Sequence, residues 1–224
     1  MALPPGQPSS QGSRFLGGLY LILDPAVAGK RSLEEITADA LRLGVRAFQL
    51  RVKTPDTGVM YDLALKLAPM IHTAGGQFIV NDRCDVALAV GADGVHLGQE
   101  DLPLAEARAL VGPRMLIGIS THTIDQAVGS ETEGADYIGF GPIFPTRTKS
   151  HSAPVVGLEQ LREVRARVRL PVVAIGGIHA ANIGAVADAG ADSVAVLSAV
   201  LAAPDPQRAL ADLITAMKRS QQKN

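Results

Sequence analysis

The chain has 224 residues, 47% apolar and 19% charged, with 23 glycines, a formal net charge of −1 and one cysteine. Such a composition excludes a disordered chain, and near-neutral charge without a Lys/Arg run removes the footprint of a nucleic-acid binder. The lone Cys84 excludes an internal disulfide and a multi-cysteine metal site, which fits a reducing compartment, here the cytoplasm.

The opening MALPPGQPSSQGS has neither the basic start nor the apolar core of an export signal, so residues 1–14 read as a floppy tail. From Leu19 onward short apolar runs alternate with longer amphipathic ones. LYLILD is the first strand candidate. SLEEITADALRLG follows as a helix, with Ser32 as N-cap, Glu35 three residues later and Gly44 as the stop. AFQLR and FIVND flank the helix pattern GVMYDLALKLAPMIHTAGG; next come GVHLG, LPLAEARALVG, MLIGIS, TIDQAVGSETEG and YIGFG. LEQLREVRARV, PVVAIGG, AANIGAVADAG, SVAVLS and PQRALADLITAMKRS complete the series.

Eight strand candidates interleaved with helix patterns predict a TIM (β/α)8 barrel over 15–219, an α/β fold, with a short tail at 220–224. A doubly wound sheet is the rival, but DPAVAGKRS after the first strand lacks the G-x-G-x-x-G turn of its nucleotide-binding form. GAD recurs at 91–93, 134–136 and 190–192, marking three helix-to-strand turns of one kind. Because aromatics are scarce and Trp is absent, the expected core is Ala, Val, Ile and Leu. The longest apolar stretch, SVAVLSAVLAA at 193–203, falls short of the roughly 18–20 residues of a membrane span.

Barrels of this kind carry their active sites at the C-terminal strand ends. There the third strand ends in Asn81 and Asp82, and Gln99, Glu100 and Asp101 follow the fourth. Asp82 and Asp101 could meet one hard cation such as Mg²⁺, or simply cap the helices that follow them. Gln49, Arg51 and Lys53 alternate along the second strand and share a face. Charges there are costly unless paired or bound to an anion, or unless the strand end turns outward into solvent. The long segment GPIFPTRTKSHSAPVVG brings Thr146, Arg147, Thr148 and Lys149, suited to a phosphate or carboxylate. AIGGI at 174–178 and AVLS at 195–198 end the last two strands, where barrels often bind phosphate through backbone N–H groups, and Gly176 and Gly177 allow close approach or simply make a tight turn. The combination suggests two phosphorylated substrates, one a metal-bound diphosphate.

QLRVK, NDR, ADGVHLGQEDLP, IGIST, ADYIGFGPIFPTRTK, VVAIGGI and AGADSVAVLSA, in this order over roughly 19–215, resemble the thiamine phosphate synthase family. The resemblance implies a transferase of thiamine biosynthesis that couples hydroxymethylpyrimidine diphosphate to a thiazole phosphate or its carboxylated form. Diphosphate leaves first, and the thiazole nitrogen then attacks. It implies that Gln49, Leu50, Arg51, Val52, Lys53, Asn81, Ser120 and Lys149 bind the pyrimidine diphosphate, with Arg51, Lys53, Ser120 and Lys149 closest to the chemistry. Asp82 and Asp101 would hold one Mg²⁺, while Thr146, Arg147, Thr148, Gly177, Leu197 and Ser198 would hold the thiazole phosphate. Small-molecule substrates are its expected partners, with neither nucleic acid nor membrane; a homo-oligomer is left open. The chain departs from the family in Val52, where an acidic residue is frequent.

Cys84, without a basic partner in sequence, reads as a small helix-facing residue, and His96 as a hydrogen-bonded residue of the barrel interior. His122 could line the site or simply pack in its loop. A thiazole tautomerase-like relative, a Schiff-base aldolase using Lys149 and a non-catalytic phosphometabolite binder are the rival functions.

Overall fold

The computed structural model describes residues 17–29, 31–53, 57–146 and 154–221. The eight expected strands are β1 (Gly18–Leu23), β2 (Ala47–Leu50), β3 (Gln77–Asn81), β4 (Gly94–Leu97), β5 (Leu116–Thr121), β6 (Tyr137–Phe140), β7 (Val172–Ile175) and β8 (Ser193–Val196). They form a closed barrel in chain order. Every pair is parallel, and β8 returns to β1 with Tyr20 opposite Ala195.

The helices are α1 (Leu33–Arg42), α2 (Thr57–Thr73), α3 (Cys84–Ala89), α4 (Leu104–Val111), α5 (Ile124–Glu133), α6 (Gly157–Arg167), α7 (Ile183–Asp188), α8 (Ser198–Leu201) and α9 (Pro206–Gln221). Ser32 caps α1 as expected, its hydroxyl accepting from the Glu35 N–H at 3.1 Å. Two helices, α3 and α8, were not expected from the sequence; six and four residues make fewer than two turns, which leaves the period weak. No described helix is long and apolar enough to cross a membrane.

The three GAD turns share one device. Gly91, Gly134 and Gly190 take φ of 65°, 94° and 93°, which ends each helix in the left-handed region. The Asp that follows accepts a backbone N–H at the start of the preceding strand: Asp93 from Phe78 at 2.7 Å, Asp136 from Ile117 and Asp192 from Val172, both at 2.8 Å. Each carboxylate also meets a cationic or imidazole side chain, respectively His72, Arg108 and Arg165. The turns therefore staple neighbouring strands at the end of the barrel opposite the rim.

Alternation along each strand builds two cores. Outward residues such as Leu21, Phe48, Phe78, Val95, Ile138 and Val194 pack under the helices, an aliphatic layer of the expected kind with Phe interspersed. The barrel interior departs from that expectation. Tyr20 and Tyr137 lie fully within it beside Ile22, Ala47, Ile79, Leu116, Val173 and Ala195. Glycines on the neighbouring strands β5 and β6 make the room: a Cβ on Gly118 would lie 2.0 Å from Cζ of Tyr137, and one on Gly139 would lie 3.2 Å from Cε1 of His96.

Candidate active site

The C-terminal strand ends open into a cavity of about 980 Å³. Its polar side is built from strands β2 to β5, through Gln49, Arg51, Asn81, His96 and Ser120. Its other side comes from the loops after β6, β7 and β8, through Phe144, Thr146, Gly176, Gly177, Leu197 and Ser198.

The second strand places its residues as the period of two requires. Gln49 is buried in the interior and donates through Nε2 to the Tyr20 hydroxyl at 3.0 Å. Arg51 pairs with Asp24, a buried carboxylate at the end of β1 that sequence reasoning passed over. Lys53 reaches across to Asp82 Oδ2 at 2.5 Å. Leu50 and Val52 point the other way, into the layer beneath the helices, so only their backbone can face a ligand. Val52 thus stands clear of Arg51 and Lys53, as expected of its position.

Neither Asp82 nor Asp101 caps a helix. The N-cap of α3 is Arg83 and that of α4 is Pro103, and neither makes a side-chain capping bond. Asp101 instead folds back, Oδ2 accepting the Gly98 N–H at 2.6 Å. Asp82 holds φ of 64°, the left-handed region rarely occupied by a residue with a side chain. Burial raises the Asp82 carboxyl above its ordinary range, Lys53 opposes that rise, and the neighbouring Asp101 carboxyl adds to it. Two carboxyl groups held this close favour a bound cation, and oxygen donors suit Mg²⁺. No cluster of three or more His, Cys, Asp or Glu occurs among the described residues. A cation here would complete its shell with water and substrate oxygens.

Asn81 adds an independent sign of a ligand. It is buried beside the cavity, and its Nδ2 has no hydrogen-bond partner. A buried donor left bare costs about 1–3 kcal/mol, which an anionic oxygen would relieve.

His96 lies in the interior as expected, its Nδ1 3.0 Å from the Tyr137 hydroxyl and its Nε2 2.9 Å from Ser120 Oγ. The Tyr20 and Tyr137 hydroxyls are 3.1 Å apart. Burial raises both phenols above their ordinary range, so both stay protonated. Gln99 fixes the Ser120 carbonyl from the next loop through a 2.7 Å bond.

On the opposite side, Gly176 and Gly177 serve loop packing. Their φ values are 101° and 64°, and a Cβ on them would meet Pro142 Cβ at 2.5 Å and the Pro145 carbonyl at 2.6 Å. The loops after β6 and β7 are joined there by Phe144 N–H donating to the Gly176 carbonyl at 3.0 Å. Thr146, Gly177, Leu197 and Ser198 all line the cavity; Arg147, Thr148 and Lys149 lie outside the described residues. His122 lines it too, as do His179 and Asn182, which the sequence did not single out. Asn182 could have been suspected from its place after the seventh strand; it holds that loop by donating to the Gly177 carbonyl at 3.0 Å. Cys84 is buried at the start of α3, and burial pushes its thiol up, away from nucleophilic use.

Known proteins share this architecture and sequence. The family model for thiamine monophosphate synthase matches residues 19–200. A thiamine-phosphate synthase of Methanospirillum hungatei is 46% identical over 200 residues, covering 88% of this chain and 97% of its own. Another, of Desulfitobacterium hafniense, is 45% identical over 188 residues, covering 84% and 91%. The solved thiamine phosphate pyrophosphorylase of Pyrococcus furiosus superposes with a TM-score of 0.83 at 39% identity, over 91% of this chain and 96% of that one. With the match running from the first strand to the helix after the eighth, the chain belongs to the thiamine monophosphate synthase family.

Proposed function

We propose that the cavity joins the two halves of thiamine, coupling 4-amino-2-methyl-5-(diphosphooxymethyl)pyrimidine to a thiazole phosphate to give thiamine phosphate and diphosphate. The observation that carries this reading is the meeting of Asp82 and Asp101 beside Lys53, at the rim of a cavity lined by Arg51 and the unpartnered Asn81 donor. Paired carboxylates next to basic groups suit a metal-bound diphosphate; carboxylates alone would repel it.

Asp82 and Asp101 would hold one Mg²⁺. When bound, the ion supplies charge neutralisation for the diphosphate oxygens. Arg51 approaches the same oxygens with its orientation set by Asp24, since a guanidinium has donors enough for a carboxylate and a phosphate together. Lys53 exchanges its bond to Asp82 for one to diphosphate. Asn81 donates through Nδ2, while Gln49 and Ser120 hold the pyrimidine edge. The carbon–oxygen bond to diphosphate breaks, the electron pair leaves with the diphosphate, and the aminopyrimidine shares the positive charge on its methylene carbon. The thiazole nitrogen donates its pair to that carbon and closes the new bond. Its phosphate is held by Thr146, Gly177, Leu197 and Ser198, with Arg147 and Thr148 assigned to the same phosphate and Lys149 to the diphosphate by the family resemblance. Preorganised cations at the leaving group would be the largest source of acceleration, and no protein nucleophile is needed. We assign the reaction to the cytoplasm, since both substrates are small phosphorylated metabolites.

Diphosphate release measured with each substrate omitted in turn, with and without EDTA, tests the reading. Release is expected only with both substrates and Mg²⁺ present. Release at full rate after stripping the metal would overturn the metal assignment, and absence of thiamine phosphate among the products would overturn the reaction.

A further inference from the structure

We propose that Tyr20, Tyr137 and His96 are positioning residues that lock Gln49 and Ser120 into opposite hydrogen-bonding polarities, and so select a pyrimidine whose edge places an amino donor beside a ring-nitrogen acceptor. The inference rests on the reading that this cavity binds the pyrimidine diphosphate.

Four hydrogen bonds run across the barrel interior without a gap. Gln49 Nε2 donates to the Tyr20 hydroxyl at 3.0 Å, and the Tyr20 and Tyr137 hydroxyls are 3.1 Å apart. The Tyr137 hydroxyl lies 3.0 Å from His96 Nδ1, and His96 Nε2 lies 2.9 Å from Ser120 Oγ. Each hydroxyl and the neutral imidazole carries a single proton. With Gln49 donating to Tyr20 and the imidazole taken as neutral, the arrangement that gives every link one donor and one acceptor has Tyr20 donating to Tyr137 and Tyr137 donating to Nδ1. The imidazole proton is then on Nε2 and is given to Ser120 Oγ. Ser120 is left to donate its own proton, and Gln49 is left with Oε1 as an acceptor. The chain therefore turns an acceptor at one end and a donor at the other toward the cavity that Gln49 and Ser120 line.

A 4-aminopyrimidine complements that pair, its amino group donating to Gln49 and its adjacent ring nitrogen accepting from Ser120. A 4-oxopyrimidine presents the reverse, a carbonyl acceptor beside a ring N–H. Accepting it would require all four bonds to reverse together, because reversing one end alone leaves a buried polar atom facing its like. Packing does not demand this chain, since aliphatic side chains fill a barrel at lower cost than two phenols and an imidazole. The sequence nevertheless makes space for it, with Gly118 against the Tyr137 ring and Gly139 against His96.

The test compares kcat/KM for the 4-amino diphosphate and its 4-oxo counterpart, at saturating thiazole phosphate and Mg²⁺, in wild type, Tyr137→Phe and Tyr20→Phe. Both variants keep the ring and remove one link. Wild type is expected to prefer the amino compound by about 100-fold or more, as a site built to pair polar groups does. Either variant should shrink that preference by about tenfold or more and leave KM for thiazole phosphate within about twofold. A merely structural role would depress both pyrimidines alike, so an unchanged ratio in either soluble variant overturns the inference. A wild type indifferent to the exchange of amino for oxo overturns it too. Failure of wild type to use the amino diphosphate at all would defeat the proposed reaction, and this inference with it.

Discussion

Replacing Asp82 with glycine should separate stability from activity. At φ of 64° a side chain costs about 1–2 kcal/mol in the left-handed region, which glycine recovers. Against that stand the ion pair with Lys53, whose side chain is 52% exposed, so that the pair contributes only about 0.2–1 kcal/mol. Glycine's greater freedom in the unfolded chain costs a further ~0.5–1 kcal/mol. The balance lies within about 1 kcal/mol of zero, and Tm should move by no more than about 2–4 °C for a chain of this size. Turnover should nonetheless fall about 100-fold or more, the cost of losing a preorganised electrostatic group. Thermal unfolding without metal and steady-state diphosphate release measure the two quantities. A variant that unfolds much earlier would make Asp82 a structural residue, and one within about threefold of wild-type turnover would refute the metal role.

The pH dependence of Asp82 follows from the same burial. Its folded-state carboxyl is raised above 3.8, so the native protein holds that proton more tightly than the unfolded chain. The contribution to stability is full below the unfolded value and is lost as pH rises through the folded one. Metal-free wild type should therefore lose stability relative to Asp82→Asn from about pH 4 upward, and parallel urea titrations at several pH values would detect it. Gly118→Ala should cost about 3–5 kcal/mol, combining overpacking against Tyr137 with loss of its two hydroxyl bonds; a urea midpoint close to wild type would show that the ring moves aside freely. Asp192→Ala strips the Val172 N–H of its acceptor and should cost about 1–3 kcal/mol with kcat unchanged. Arg51→Lys should raise KM for the pyrimidine diphosphate about tenfold or more, because an ammonium cannot serve Asp24 and diphosphate as a planar fork does.

The strands were legible because each alternates or runs apolar and is bounded by turn chemistry, and α1 because Ser32 and Glu35 announce its start. The polar strand ends at Gln49, Arg51, Asn81 and Asp82 stood out because charge and amide groups are costly where a core strand should continue. The GAD repeats announced three like turns, but their role as carboxylate staples depends on which N–H lies one strand away. The short helices α3 and α8 went unread, since fewer than two turns carry only a weak period; α7, as short as α3, was read within AANIGAVADAG.

Local sequence by itself therefore determined the number and order of strands, the closure into a barrel and the rim as the place of chemistry, because these follow from periodicity, caps and turns that neighbouring residues specify. Tertiary structure alone decided that Asp24 holds Arg51, that Asp82 lies against Asp101, and that Tyr20 meets Tyr137 117 residues away. Those contacts exist only once the sheet has closed on itself, when inward side chains from strands far apart in sequence must share one small interior and glycines beside the rings leave them room.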